Sequence, residues 1–228
     1  MGLSRVAVLI SGSGTNLQAL IDATRSGAVP AEIALVVSNR AQAYGLERAK
    51  RAGITSRVLL PRDFEGREAF DAAIDAVLRE HDIEYVCLAG YMRVLTADFV
   101  HRWHDRLLNI HPSLLPAFRG LDVHERVLEA GMPVSGCTVH FVRPEVDDGP
   151  IILQGVVPVL PEDTPQRLQA RVLEVEHRCY PRALDFLVRG RLRVEGERVE
   201  LEGERPGERL LLHPRLAGFL LPSDRERR

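Results

Sequence analysis

The sequence is short of the residues that stabilise a chain by anything other than packing. Of its 228 residues three are cysteines, Cys87, Cys137 and Cys179, far apart and with no C-x-x-C pair. That count and spacing exclude a disulfide framework and a cysteine zinc ribbon. Cys87 stands inside the apolar run Tyr85-Val86-Cys87-Leu88-Ala89, as a buried thiol in a reducing compartment would. No apolar stretch approaches the roughly 18 residues needed to cross a bilayer. The first ten residues hold one arginine and a short apolar run, without a signal-peptide cleavage pattern. No membrane association and a cytoplasmic location are the expectations. An excess of charge is missing too: 30 Lys and Arg face 32 Asp and Glu, for a net charge of −2. Such a chain has no general basic field for nucleic acid, so any anion site must be local. Lys50 is the single lysine, which leaves positive charge to arginine, a planar fork suited to carboxylates and phosphates.

What is present is an ordinary globular composition, 45% hydrophobic and 27% charged, without internal repeats or low-complexity segments. Residues 6–10 form a short β-branched run that breaks into Ser11-Gly12-Ser13-Gly14, and a helix is expected from about Asn16. Further strands are expected at 33–37 and 57–60, with a helix at 44–51 between them. Residues 67–80 put Phe70, Ile74, Val77 and Leu78 on one helical stripe. A strand at 85–89, a helix at 97–103 and a strand at 106–110 closed by Pro112 follow. After residue 130 the rhythm changes: 137–142 and 151–159 are strand-like with only a turn between them, which predicts an antiparallel extension. Residues 165–188 read as one long helix, with Pro181 expected to kink it or end it early. The fold class is therefore α/β, a mostly parallel, Rossmann-like open sheet with helices on both faces and an antiparallel C-terminal extension. Residues 1–195 form the main domain, its N-terminal half carrying the phosphate loop. Residues 196–228, charged and glycine-punctuated with an apolar run at 210–212, read as an appended ribbon and tail.

Two stretches carry chemistry. The strand, the loop Ser11-Gly12-Ser13-Gly14-Thr15-Asn16 and the following helix converge backbone N–H groups and a positive dipole end on one point, where a phosphate fits. The same glycines also suit a turn that binds nothing. A dinucleotide fingerprint would need a third glycine at Leu17 and an acid near Ser38-Asn39-Arg40, so NAD is disfavoured, while Arg40 keeps an NADP-like reading open. The second stretch is Asn109-Ile110-His111-Pro112-Ser113-Leu114-Leu115-Pro116. On a strand Asn109 and His111 share a face, and Pro112 leaves them at its carboxyl end, where open α/β sheets bind ligands. A carboxamide and an imidazolium there suit a carbonyl oxygen that turns negative in a tetrahedral transition state. Alone, the histidine reads more readily as a structural one, and Asn109 beside it shifts that balance toward chemistry. Ser113 lacks a G-x-S-x-G elbow and is rejected as a nucleophile, and His101 with His104 lacks metal-binding register, so no metal is expected.

The glycine loop, Leu88-Ala89-Gly90-Tyr91-Met92-Arg93, the Asn109 to Pro116 run and Asp147-Asp148-Gly149 together resemble the phosphoribosylglycinamide formyltransferase family, folate-dependent enzymes of purine synthesis, over residues 6–194. The resemblance implies transfer of a formyl group from 10-formyltetrahydrofolate to the amine of glycinamide ribonucleotide. It implies that Asn109, His111 and Asp147 are catalytic, and that Gly14, Thr15, Asn16 and Glu176 bind the ribonucleotide. Arg67, Met92, Arg93, Val94, Leu95 and Asn109 are implied to contact the folate. Asp148 departs from the small residue usual in the family; its charge is expected to raise the proton affinity of His111, and it competes with Asp147 for the helper role. A deformylase would carry an added N-terminal domain, whereas the first strand here starts at Val6. A tRNA formyltransferase would carry a basic C-terminal domain, whereas residues 196–228 mix acids with arginines. A non-catalytic nucleotide-binding module is the remaining alternative. The expected partners are the two small-molecule substrates, with no nucleic acid; monomer and homodimer are both open.

Overall fold

The structure, a computed structural model, describes residues 2–203; the apolar run at 210–212 and the rest of the expected tail lie outside the described residues. In chain order the elements are β1 (Ser4–Ile10), α1 (Thr15–Arg25), β2 (Ala31–Ser38), α2 (Gly45–Arg51), β3 (Ser56–Val58), α3 (Arg67–Glu80), β4 (Tyr85–Ala89), α4 (Ala97–Arg102), β5 (Leu107–His111), α5 (Val123–Glu129), β6 (Val134–Phe141), β7 (Ile151–Pro158), α6 (Pro165–Val188), β8 (Leu192–Glu195) and β9 (Arg198–Leu201). The first seven strands make one sheet in the order β3-β2-β1-β4-β5-β6-β7. Pairing is parallel from β3 through β5 and antiparallel for β5 with β6 and β6 with β7. The pair β8 and β9 forms a separate hairpin spanning residues 195 and 196, where the sequence reading divided the chain.

The apolar runs are continuous because the sheet is covered on both sides. Val6, Val8 and Ile10 of β1 enter one core with Leu17 and Leu20 of α1, Ala49 of α2, Val127 of α5 and Leu168 of α6. Ala7 and Leu9 enter the other with Phe70 and Ile74 of α3 and Phe99 of α4. Strand order reverses on the two sides of β1, since β2 lies beside it on one side and β4 on the other. The chain after β1 and after β4 therefore leaves toward opposite faces, and open α/β sheets bind their ligands at the carboxyl ends of such strands.

Three local expectations need correction. The third strand is only Ser56–Val58, earlier and shorter than 57–60. A helix that the pattern did not predict, α5, occupies Val123–Glu129, its inward Val123 and Val127 too few to give a clear period. Pro181 does not end α6, which continues to Val188. An interior proline costs roughly 3 kcal/mol. Here that is offset by burial around it: Ala183 and Leu184 are fully buried, and the Tyr180 hydroxyl donates to the carbonyls of Leu88 and Leu108 at 2.9 and 3.2 Å. Tertiary packing overrides the local preference.

Candidate active site

Asn109 and His111 lie on the same face of β5, as alternation requires, while Leu108 and Ile110 enter the core opposite. The turn after β5 is held from β6. The buried Thr138 hydroxyl donates to the Ser113 carbonyl at 2.7 Å and accepts from the Leu115 N–H at 3.0 Å. Ser113 itself donates to the Ala117 carbonyl at 2.6 Å, a turn-closing role.

His111 is 5% exposed and its two ring nitrogens meet acceptors. Nδ1 lies 3.3 Å from an Asp147 carboxylate oxygen, and Nε2 lies 2.9 Å from the Phe118 carbonyl. Neither acceptor has a proton to give, so a ring protonated on both nitrogens satisfies both contacts at once. The same Asp147 oxygen accepts from the Gly120 N–H at 2.8 Å, which ties the turn after β6 to the loop after β5. Asp148 is engaged elsewhere: Arg119 donates to it at 2.8 Å. The charge expected to act on the imidazole is thus largely neutralised by a guanidinium, and Asp147, not Asp148, stands against His111.

Sequence reasoning missed His140. It faces Asn109 across the β5–β6 pairing and is almost fully buried. Its Nδ1 lies 2.9 Å from the Phe141 carbonyl and donates there, which leaves Nε2 as an acceptor for the Asn109 amide nitrogen at 3.3 Å. Burial pushes the His140 imidazole down toward its neutral form, although the Phe141 carbonyl opposes that shift. The contact selects the orientation of the Asn109 carboxamide, whose nitrogen keeps a second N–H for another acceptor. A lone histidine in an apolar strand has no sequence signal for this; the antiparallel register supplies it.

At the carboxyl end of β1, Gly14 begins α1 with φ +69°, a conformation that favours glycine, and no side chain caps the helix. A Cβ there would lie 2.6 Å from the Cα of Gly45, so two glycines let α2 press directly on the loop. Thr15 is half-buried. Asn16 donates through Nδ2 to Glu176 of α6 at 2.6 Å, joining two residues 160 positions apart. Burial raises the Glu176 carboxyl above its ordinary value, and the Asn16 amide partly counters that. Arg40 instead lines a cleft of about 700 Å³ on the β2–β3 side of the loop, with Arg62.

The segment after β4 lies between these ends. Met92 and Val94 are exposed, Leu95 is buried, and the Met92 N–H donates to the Ser11 hydroxyl at 2.8 Å. Arg67 donates to the carbonyls of Val94 and Leu95 at 3.1 and 3.3 Å, and Arg93 stacks over Phe70 at 4.7 Å. Of the residues expected around the folate, Arg67 lies in the first turn of α3 and residues 92–95 on one segment, while Asn109 stands apart on β5. Among the described residues no group of three or more His, Cys, Asp or Glu side chains is arranged to hold a metal ion, and no helix is long and apolar enough to cross a membrane.

A mostly parallel open sheet that sets a carboxamide and an imidazole at the end of its fifth strand against a carboxylate from the turn after β6 has the arrangement of an enzyme acting on a carbonyl group. The chain belongs to the formyl transferase family, which it matches over residues 4–184. It is 46% identical over 202 residues to the phosphoribosylglycinamide formyltransferase of Haemophilus influenzae, covering 89% of this chain and 95% of that one. It is also 52% identical over 191 residues to the bovine trifunctional purine biosynthetic protein adenosine-3, where it spans 84% of its own length and only 19% of that protein's. Among solved structures, the glycinamide ribonucleotide transformylase 1 of Symbiobacterium toebii superposes with a TM-score of 0.86 at 52% identity, over 87% of this chain and 94% of that one. A formyltetrahydrofolate deformylase from Pseudomonas syringae is more distant, at 26% identity over 87% of this chain and 66% of that one, with a TM-score of 0.82.

Proposed function

We propose that the chain transfers the formyl group of 10-formyltetrahydrofolate to the amine of 5-phosphoribosyl-glycinamide, a step of de novo purine biosynthesis. The observation that carries this reading is His111 buried between the Asp147 carboxylate and the Phe118 carbonyl, one alternation from an oriented Asn109. The amine attacks the formyl carbon directly, and no enzyme nucleophile is required. The second N–H of the Asn109 amide and the His111 Nε2 proton stabilise the oxyanion, the imidazolium exchanging its Phe118 contact for the substrate oxygen. Asp147 keeps the ring charged and relays, directly or through water, the proton that leaves the amine and reaches the folate nitrogen.

Gly14, Thr15, Asn16 and Glu176 hold the ribonucleotide, its phosphate at the amino end of α1 and its ribose near the carboxylate. Arg67 with the backbone of residues 92–95 receives the folate. Residues 1–195 act as one formyltransferase unit, and both substrates are small molecules. The test is folate absorbance followed with purified protein, with and without the ribonucleotide. Deformylation that needs the acceptor and yields the formylated ribonucleotide supports the reading; equal turnover with water alone makes the chain a hydrolase.

A further inference from the structure

The amino end of α1 is too weak an electrostatic site to hold a phosphate monoester by itself. A helix end supplies about half a positive charge, whereas such a phosphate carries up to about two negative ones. The first turn of α1 has no side-chain cap and no acidic residue, so no side chain of its own satisfies its free N–H groups. Asn16, 8% exposed in that turn, has a buried Oδ1 without a hydrogen-bond partner among the described residues. The missing charge must come from a neighbouring side chain, and Lys50 is the only lysine in the chain.

Arg48 of α2 is hydrogen-bonded to the loop itself. The Gly14–Gly45 contact that seats α2 also brings the Arg48 Cδ to 3.5 Å from the place a Gly14 Cβ would take. Its Nε donates to the Ser13 carbonyl at 2.9 Å, one Nη donates to Gln18 at 3.4 Å, and the group stacks on Tyr44 at 5.1 Å. These contacts fix the guanidinium beside the first turn of α1 and leave its other Nη without a partner among the described residues. From the opposite flank comes α6, where Glu176 meets Asn16 and the His177 Nε2 is buried without a partner. Arg48 also helps push the His177 imidazole toward neutrality, second to burial, so the two side chains share this space.

We propose that Arg48 is the cation that binds the 5′-phosphate of the ribonucleotide at the amino end of α1 and makes the enzyme prefer a phosphorylated acceptor. The inference rests on the ribonucleotide reading given above and adds a residue to it. A planar, pre-oriented guanidinium can engage two phosphate oxygens while its Nε stays on the loop.

The experiment compares glycinamide ribonucleotide with its dephosphorylated riboside in the parent, Arg48→Gln and Arg48→Lys. Gln keeps a donor for the Ser13 carbonyl and removes the charge. Arg48→Gln is expected to raise KM for the ribonucleotide about ten- to a hundred-fold, with a much smaller change in kcat, while riboside kinetics and the KM for formyl folate hold. Inorganic phosphate, titrated calorimetrically, is expected to bind the parent and Arg48→Lys but not Arg48→Gln. Equal losses on both acceptors, or an unchanged KM for the ribonucleotide in a variant that melts like the parent, would assign Arg48 to loop support and overturn the proposal. If the parent formylates neither acceptor, the ribonucleotide reading fails, and the phosphate titration still decides the role of Arg48.

Discussion

At the end proposed to hold the phosphate, the loop after β1 runs directly into α1 and is held by a glycine contact with the next helix in the chain. At the end proposed to carry the chemistry, the groups that meet His111 come from two separate turns, joined by a hydrogen bond between Gly120 and Asp147. The ends also differ in backbone strain. The loop after β1 places its one left-handed residue at a glycine, whereas the turns around His111 have Phe118, Asp122 and Asp147 at φ 55°, 53° and 49°. Non-glycine residues held there cost roughly 1 kcal/mol or more each. The first end begins in a single βα unit, with α2 and α6 packed onto it, and in the proposed reading it binds. The other is assembled from two distant turns, and in the same reading that assembly directs a proton.

If that contrast holds, substitutions at the chemical end act on kcat and those at the phosphate end on KM. The largest effect is expected from His111→Ala and Asn109→Ala, each lowering kcat about 10²- to 10³-fold with the ribonucleotide KM little moved. Asp147→Asn should lose about 10²-fold in kcat, read in the same steady-state assay; a rise in KM alone would erase the distinction between the two ends. Glu176→Ala is expected to raise the ribonucleotide KM about tenfold with a smaller fall in kcat.

Stability against pH sharpens the comparison further. The buried His140 has its proton affinity lowered on folding, so the unfolded chain binds more protons than the native one as pH falls below the ordinary imidazole value of 6.5. Stability present above that pH is lost below it. A His140→Gln variant should show a flatter decline in denaturant midpoint across this window, together with a reduced kcat from a less well-oriented Asn109. The smallest effect belongs to Asp148→Ala. Its pair with Arg119 leaves both side chains more than 40% exposed, at 43% and 45%, where such pairs contribute up to about 1 kcal/mol. A change in kcat of about threefold or less is expected, with faster tryptic cleavage after Arg119 as the loop loosens.

Much of this was legible beforehand because it depends on local pattern. The apolar runs of β1, β2 and β4 are legible as continuous stretches of a sheet covered on both faces, and the stripe on α3 and the Asn109-x-His111 alternation follow from periods of 3.6 and two residues. What failed locally did so for a physical reason. Pro181 should have ended α6 by its own chemistry, and only the burial of Tyr180 and Leu184 shows why it does not. The short α5 has too few inward residues to announce itself. His140 and Arg48 carried no motif, since one gains meaning from strand register and the other from a contact between two glycines.

Residue order alone determined the open α/β class, the glycine turn at the start of α1 and the shared face of Asn109 and His111, because these depend on neighbours within a few positions. Only the tertiary structure decided that Asp147 rather than Asp148 meets the imidazole, that Asn16 finds Glu176, and that a buried neutral histidine orients the carboxamide. Those contacts join residues tens of positions apart, and chain connectivity sets no distance between such residues until the sheet closes and the two turns pack against each other.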